Sequence, residues 1–479
     1  MKKKCFIFLV FISFVLLCYP LFLRKTFGPV SLEQFLFHLM NPLKGTDPRL
    51  YYKGLGYAFV LPLFLSLLYL KPTWIVPKKF KAFLSKWEKS HCQTVCSCIL
   101  FVFAIGFQFY VFRIDQWYYR QTHPTTLFRD YYVTQTPRDI TFNEKRNAIV
   151  IYLESMENTY GNMKVFDKNY IPELMEFEEK NTSFDRFYQL PGTQWTIAGL
   201  FNGMCGIPLK IPLKGVRLDL FKTFLPSAIC IPQILQGNGY QTGFIVGSDM
   251  KFSGLDNLVS QHGFDAYWGV EQIEQEKGGI TEEMKGHGWG VNDQAMFDFA
   301  KEKITLASQK DKPFFYVLMT IDTHFPNGYF NPNVCKHTQN NFSDVVSCSS
   351  KTVSDFVKWI QSQPFAKDTT IVLLGDHITW GNDVYDIIVK SDDRQIINAF
   401  INPVKKPMRK KGRKYGTFDF APSILSAMGA NIPNNSFALG RDLFSNETTL
   451  VEKFGVEYIE DELQKYSPEY QEFFKQPKN

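Results

Sequence analysis

TTIVLLGDH, residues 369–377, decides how the second half of this chain folds. Ile371, Val372, Leu373 and Leu374 form an unbroken apolar run, and Gly375, Asp376 and His377 end it at once. A short continuous apolar run closed by turn residues reads as a strand buried on both faces. Three other stretches repeat the design: NAIVIYLES (147–155), TGFIVGS (242–248) and KPFFYVLMT (312–320). Helical patterns separate them, over 229–236, 253–262, 291–308, 349–361 and 419–428. Strands alternating with helices predict an α/β domain on a parallel sheet covered on both faces. In such sheets the ligand site lies beyond the carboxyl ends of the strands. That rule singles out Glu154 and Ser155, Asp322 to His324, and Asp376 and His377.

Working outward, the chain has 479 residues, room for a membrane anchor and one large globular domain. Apolar residues are 45%, ordinary for a globular protein, yet the longest apolar runs all fall in the first quarter. Aromatics are abundant, with 46 Phe, which suits contact with lipid. After a cationic start, residues 5–23 are continuously apolar, about enough to span a bilayer. No small-x-small cleavage site follows, and Arg24 and Lys25 come next, so the segment reads as an uncleaved anchor rather than a signal peptide. Two further runs follow, GLGYAFVLPLFLSLLYL (54–70) and TVCSCILFVFAIGFQFYVF (94–112). The loop between them carries Lys71, Lys78, Lys79, Lys81, Lys86 and Lys89. The excess of Lys places that loop and the N-terminus in the cytoplasm, with everything after Phe112 outside. SLEQFLFHLM, residues 31–40, has a helical apolar face, for the outer interface or a partial fourth membrane element.

The expected organisation is an anchor of about three transmembrane helices (1–112), a juxtamembrane linker (113–146), a globular domain (147–445) and a C-terminal surface helix or tail (446–479). In the linker, Trp117, Tyr118 and Tyr119 suit the headgroup layer. The net charge of +6 suits a surface facing anionic lipid. No basic helix or RNP-like aromatic strand is present, which excludes nucleic acid as a partner.

The nine cysteines fall into two groups. Cys5, Cys18, Cys92, Cys96 and Cys98 lie in or beside the apolar segments. His91, Cys92, Cys96 and Cys98 match no zinc spacing. Cys205, Cys230, Cys335 and Cys348 lie in the later domain. Neighbours in sequence there would close short loops, Cys205 with Cys230 and Cys335 with Cys348. Disulfides would imply an oxidising compartment such as a periplasm; the alternative is four buried thiols.

Carboxylates and a histidine ending separate parallel strands can converge on one metal, and Glu154, Asp376 and His377 are the candidates. Oxygen and imidazole ligands suit Zn or Mn. The alternative is that they only terminate strands at turns. Thr193 lies in PGTQWTIAGLFNGMCGIPL, where Pro-Gly breaks the chain before a helix. As a plain residue it is an N-cap. As a functional one, its hydroxyl sits where anions bind and a metal can activate it as a nucleophile. His324, in TIDTHFP, can donate to a phosphate oxygen or leaving group, or is a turn histidine. Asp249 and Lys251 in VGSDMKFSG, and His287 and Trp289 in GHGWGVND, are polar or aromatic residues in Gly-rich loops, where turn chemistry is the plain reading.

Taken in order, these segments resemble the sulfatase-like phosphotransferases of bacterial envelopes. That group includes lipoteichoic acid synthase, the phosphoglycerol transferases of osmoregulated glucans and the lipid A phosphoethanolamine transferases. The likeness covers about 147–443 and the multi-span anchor. The phosphoglycerol transferase branch looks most similar, through GTQWTIAGLFNGMCGIPL, VGSDMKFSGLDNLVSQHGFD, HGWGVNDQAMFD and the closing TFDFAPSILSAMG and ALGRDLF. The resemblance implies an alkaline-phosphatase/sulfatase-like fold. It implies metal ligands at Glu154, Thr193, Asp376 and His377, with Thr193 as nucleophile and His324 on the substrate side. True sulfatases use Cys or Ser in a C/S-x-P-x-R context, absent here, which argues against sulfate ester hydrolysis. The Trp and Arg that hold phosphate in the lipoteichoic acid branch have no Arg counterpart around Phe252 to Asp256. Asp249, Lys251 and Trp289 are the candidates to substitute.

The resemblance therefore implies transfer of a phosphoglycerol or phosphoethanolamine head group. The donor is a membrane phospholipid, phosphatidylglycerol or phosphatidylethanolamine. The acceptor is an envelope glycan or a lipid-linked sugar. The route is a phospho-threonine on one divalent metal, Zn or Mn, releasing diacylglycerol. The location is the bacterial inner membrane, with the catalytic domain extracytoplasmic. A phosphodiesterase or phosphatase using water as acceptor, and a non-catalytic envelope scaffold, are the competing classes.

Overall fold

Twenty or so apolar residues without a polar break have one stable backbone solution in lipid, the helix. In the computed structural model the early runs are helices: α1 (Lys3–Phe27), α2 (Pro48–Leu70) and α3 (His91–Val111). All three are long and apolar enough to cross a membrane. The structure describes residues 3–27, 30, 32, 35–36, 48–74, 77, 85, 91–210, 224–286, 288, 290–336 and 341–476. Most of SLEQFLFHLM and of the Lys-rich loop therefore lies outside the described residues. The chain divides into two units, Met1–Leu36 with Thr46–Thr122, and Phe37–Gly45 with His123–Asn479. Within the first, α1 packs against α3 and the second half of α2. Polar groups there pair side to side: Gln93 Nε2 donates to the Tyr69 carbonyl (3.2 Å) and Ser97 Oγ to the Tyr69 hydroxyl (3.1 Å), as an apolar environment requires.

The second unit is built on six strands: β1 (Asn147–Leu153), β2 (Gln241–Val246), β3 (Ala266–Trp268), β4 (Phe314–Met319), β5 (Thr369–Gly375) and β6 (Asn398–Ile401). Their order across the sheet is β3-β2-β4-β1-β5-β6. The first five run parallel, and β6 adds an antiparallel edge against β5. Central β1 is buried almost throughout because it has strand neighbours on both edges and cover on both faces. On one face Ile149, Ile151, Ile245, Leu318 and Leu373 pack with Met296, Phe297 and Ile304, and with Val346, Val353 and Phe356. Those partners come from two long helices flanking β4 in sequence, Asp293–Ser308 and Phe342–Gln361. On the other face lies α4 (Thr196–Cys205), so close that a Cβ on Gly203 would stand 2.5 Å from the Tyr152 hydroxyl. Asp293–Ser308 is α5, Phe342–Gln361 is α6, and Phe420–Ala427 is α7.

Register fixes where polar side chains can gather. Leu153 stands opposite Gly375, and Met319 lies level with Tyr152 and Val246. The carboxyl ends of β1, β2, β4 and β5 therefore share one edge. The α/β fold expected from the strand pattern is the observed one, with the antiparallel edge strand added to it. The last segment differs from a surface tail. Its helices Leu450–Phe454, Val456–Gln464 and Pro468–Glu472 bury Leu450, Ile459, Leu463 and Tyr470. The Tyr470 hydroxyl donates to the Pro208 carbonyl at 2.8 Å. Both short loops are closed by disulfides, Cys205–Cys230 and Cys335–Cys348.

Candidate active site

Glu154 is the first residue after β1, and Asp376 and His377 are the first two after neighbouring β5. Because Leu153 faces Gly375 across the ladder, the three side chains start from adjacent backbone positions. All are buried, at 1%, 1% and 2% exposure. His377 Nε2 lies 3.6 Å from Glu154 Oε1 and 3.4 Å from Asp376 Oδ2. One ligand atom from each residue falls within 4.8 Å of the others.

Hydrogen bonds set the direction of each ligand. The backbone N–H groups of Ser155 and His377 both donate to Asp376 Oδ1, at 2.7 and 2.8 Å. Ser155 Oγ donates to Glu154 Oε1 (2.6 Å) and Thr196 Oγ1 to Glu154 Oε2 (3.0 Å). Ser155 takes the left-handed conformation to do this, at φ 51°. Non-glycine residues persist there only when their surroundings over-determine them. His377 Nδ1 lies 2.9 Å from the Ile378 carbonyl, which can only accept. Nδ1 therefore carries a proton, and Nε2 is the nitrogen that faces the carboxylates.

Asp376 Oδ2 is buried with no hydrogen-bond partner. A buried carboxylate oxygen left bare is costly, and such groups are rare in native structures. Burial, and then the charge of Glu154, push the Asp376 carboxyl well above the usual carboxylate range. Among the described residues neither acid is paired with Lys or Arg; the one cationic candidate is His377. Two desolvated carboxylates and an imidazole with Nε2 turned inward fit a divalent cation.

Thr193 is fully buried, and its hydroxyl donates to the Leu190 carbonyl at 2.7 Å. It is not the helix cap: α4 begins at Thr196 with Trp195 at the cap position, whose side chain makes no capping bond. Thr193 lies instead in the turn leading in, between two residues tied to the centre. Four residues before it, Gln189 Oε1 accepts the Ile378 N–H at 2.6 Å. Three residues after it, Thr196 bonds Glu154. Gly199, one turn into α4, presses on the other ligand strand: a Cβ there would lie 2.2 Å from the Asp376 carbonyl oxygen.

His324 follows β4 on the same sheet edge. Its Nδ1 lies 2.8 Å from the Phe325 carbonyl, which can only accept, so Nδ1 carries a proton, and its ring stacks on Phe325. Thr323, just before it, donates to the Glu154 carbonyl at 2.5 Å. Asp249 follows β2 and is buried; its Oδ1 accepts the Lys251 N–H at 2.8 Å, the turn bond expected of a plain loop aspartate. The Lys251 side chain is exposed. Trp289 and His287 lie outside the described residues. The structure thus brings Glu154, Asp376 and His377 together, and ties the segments bearing Thr193 and His324 to them. Ser155, singled out by the strand-end rule, bonds Glu154; two further contributors were not singled out, Thr196, also on Glu154, and Asp293, whose carboxylate accepts the Ile321 N–H at 2.7 Å. A polar residue just before a helical run, as in GVND, is the one sign the last of these gives.

The sulfatase family model matches residues 146–430. The chain is 32% identical over 314 residues to phosphoglycerol transferase I of Salmonella choleraesuis (strain SC-B67), covering 64% of this chain and 40% of that protein. It thus spans about two fifths of the length of that relative. The lipoteichoic acid synthase LtaP of Listeria monocytogenes has a similar structure, with a TM-score of 0.52 and 17% identity over 66% of this chain and 77% of that one. So has the integral membrane lipooligosaccharide phosphoethanolamine transferase A (EptA) of Neisseria meningitidis, with a TM-score of 0.53 and 12% identity over 89% of this chain and 84% of that one. These likenesses, at low identity, show a common fold. The family model covers more than half of the chain, its span opens one residue before β1 and takes in every strand of the sheet together with Glu154, Asp376 and His377, and the chain belongs to the sulfatase family.

Proposed function

We propose that this protein is a membrane-anchored phosphotransferase that moves a phosphoglycerol or phosphoethanolamine head group from a phospholipid to an envelope glycan or lipid-linked sugar. The observation that carries the reading is the bare Oδ2 of Asp376 beside Glu154 and His377, with Thr193 held in the adjoining turn. The matched phosphoglycerol transferase and the structural likeness to envelope transferases support it. Three apolar helices supply the anchor, and two disulfides in the second unit favour an extracytoplasmic face.

Glu154, Asp376 and His377, with the Thr193 oxygen as fourth donor, would hold one Zn or Mn ion. Such an ion, when bound, lowers the hydroxyl pKa and offsets charge on the phosphate. Thr193 Oγ1 gives up its proton and attacks phosphorus, a new O–P bond forms, the bond to diacylglycerol breaks, and the diacylglycerol oxygen takes up one proton, so that the step is neutral in protons overall. His324, whose Nδ1 faces the Phe325 carbonyl, then accepts the proton of the acceptor hydroxyl on Nε2. That oxygen bonds phosphorus as the Thr193 O–P bond breaks, and the Thr193 oxygen takes back one proton as His324 gives one up, which returns the free threonine and the starting histidine.

The test is intact mass spectrometry of the full chain in detergent after incubation with phosphatidylglycerol or phosphatidylethanolamine and manganese or zinc. A mass gain on Thr193 equal to phosphoglycerol or phosphoethanolamine, absent from Thr193→Ala, is the expected result. A Thr193→Ala protein that keeps full transfer activity would sink the scheme.

A further inference from the structure

Asp293 belongs to none of the groups discussed as ligand or nucleophile, yet it makes an unusual set of contacts. It is the first residue of α5, directly after the cap Asn292, whose side chain accepts the Ala295 N–H at 3.0 Å. From there its carboxylate reaches the loop that follows β4. Oδ1 accepts the Ile321 N–H at 2.7 Å and Oδ2 accepts the Asp322 N–H at 3.2 Å. In return the Asp293 N–H donates to Asp322 Oδ2 at 3.1 Å. Both acids are shut away from water, at 1% and 8% exposure.

What hangs on this clasp is the segment bearing His324. The His324 N–H donates to the Ile321 carbonyl at 3.0 Å, so the residue that Asp293 grips also fixes the histidine backbone. On its other side the same segment is tied to β1. Thr320 Oγ1 accepts the Glu154 N–H at 2.9 Å, and Thr323 bonds the Glu154 carbonyl. The loop is thus suspended between the strand carrying a metal-ligand candidate and the start of α5. Two adjacent amides, out of reach of water, need two acceptor oxygens in a fixed plane. A carboxylate supplies both. An amide side chain supplies one and turns an NH2 toward the second N–H.

We infer that Asp293 is a positioning residue for His324: through the amides of Ile321 and Asp322 it sets the loop that aims the imidazole. The inference rests on the transferase reading for its activity arm and on backbone geometry for its second arm.

The experiment is a double-mutant cycle in the full chain, with diacylglycerol release from phosphatidylglycerol and manganese as the activity. Displacing a catalytic group by about 1 Å costs on the order of 100-fold in rate. Asp293→Asn is expected to lower kcat by about that factor, leaving manganese affinity and the KM for lipid close to wild type. In a His324→Ala background the same change is expected to cost no more than a few fold, because residues acting as one unit are non-additive. Equal losses in both backgrounds, or a loss of manganese affinity as large as the loss of rate, would overturn the inference. Amide hydrogen exchange at Ile321 and Asp322 is the second arm. It should quicken in Asp293→Asn while β1 and β5 stay protected. If the wild type releases no diacylglycerol from any lipid, the transferase reading fails, and unchanged exchange at those two amides would overturn the clasp separately. Should Asp293→Asn not fold, Asp293→Ser, tolerated near a helix start, replaces it with the same expectations.

Discussion

Gly199→Ala sets two physical effects against each other with opposite signs. Gly199 lies inside α4, where alanine is ordinarily favoured over glycine by about 1 kcal/mol. On propensity alone the substitution stabilises. The packing says otherwise. A Cβ at Gly199 would stand 2.2 Å from the Asp376 carbonyl oxygen, 3.0 Å from its carbonyl carbon and 3.4 Å from its Cα. Carbon and oxygen approach to about 3.3 Å in the closest favourable contacts, so α4 and the end of β5 must part by roughly 1 Å. The obstruction is backbone on both sides, and no side-chain rotation relieves it. Overpacking of this kind costs about 1–3 kcal/mol.

The displacement acts on the centre itself. α4 carries Thr196, which bonds Glu154 at 3.0 Å, and the end of β5 carries Asp376 and His377. Metal sites tolerate ligand shifts of about 0.2 Å. Loss of a partner that orients a ligand typically weakens metal binding by about 10–100-fold. Gly199→Ala should therefore fold, unfold at lower temperature than wild type, and bind manganese at least tenfold more weakly, a floor of about 1.4 kcal/mol. Gly203→Ala, one turn further along α4, is the control. Its Cβ would meet the Tyr152 hydroxyl at 2.5 Å, the far end of a side chain, so it should cost stability but leave metal affinity alone. The assay is calorimetric titration of manganese into the full chain, with thermal unfolding of the metal-free form alongside. A Gly199→Ala protein that is more stable than wild type and binds manganese as tightly would refute the reasoning, because α4 would then not bear on Asp376.

Two further predictions concern groups away from the ligands. Arg394 pairs through Nε and Nη2 with the fully buried carboxylate of Glu157, at 2.9 and 2.7 Å; Arg394→Met strands that charge and should destabilise the protein by about 3–5 kcal/mol in chemical unfolding. Adding Glu157→Gln should recover much of the loss, and no recovery would show that the ion pair is not the cause. Asp419 is fully buried, and burial pushes its carboxyl up to about 7 against the bonds it accepts from the Arg441 and Gly416 amides. Its folded pKa lies above the unfolded value of about 3.9, so its stabilisation is complete below that value and is lost as pH rises through about 7. Asp419→Asn should therefore gain on wild type between those two pH values and run parallel above them; urea midpoints that stay parallel throughout would contradict this.

How much of this was legible in the sequence follows from what each element depends on. β1, β2, β4 and β5 announce themselves because strands buried on both faces must be apolar throughout. β3 and β6, at three and four residues, are too short for any period to register, and β6 runs antiparallel for reasons of topology alone. α6 begins at Phe342, seven residues before the helical pattern at Ser349, since Asn341 caps it and Ser343, Asp344 and Ser347 dilute the apolar face. The clustering of Glu154, Asp376 and His377 was legible because the strand-end rule is geometric: adjacent parallel strands deliver their next residues to one place. Thr193 was readable as a residue near a helix start, but its nearness to the trio came from resemblance. The bonds of Gln189 and Thr196 that confine it join residues 189 and 42 positions apart. Asp293 was illegible for the same reason, its partners lying 28 and 29 residues away.

The distribution of unsatisfied groups gives the site its energetic character. Most buried polar atoms in a native protein find a partner. Here Asp376 Oδ2, the Tyr152 hydroxyl and both side-chain polar atoms of Asn202 do not, and Asp322 Oδ1 does not either. Tyr152 and Asn202 lie at the contact between β1 and α4, and Asp376 lies where Gly199 of the same helix meets β5. The strained φ of Ser155 falls there too. Bare acceptors and backbone strain raise the free energy of the metal-free fold locally, and a cation on Asp376 Oδ2 would remove the largest of these penalties, a bare acceptor on a carboxylate. Anything that binds the folded chain alone stabilises it in proportion to the logarithm of its excess over the dissociation constant. The close packing of α4 sets Thr196 on Glu154 and brings Gly199 against the Asp376 backbone, at the place where these unsatisfied groups gather. The same contact that a single methyl group at Gly199 would break is the one that sets α4 and the end of β5 in register around Glu154 and Asp376.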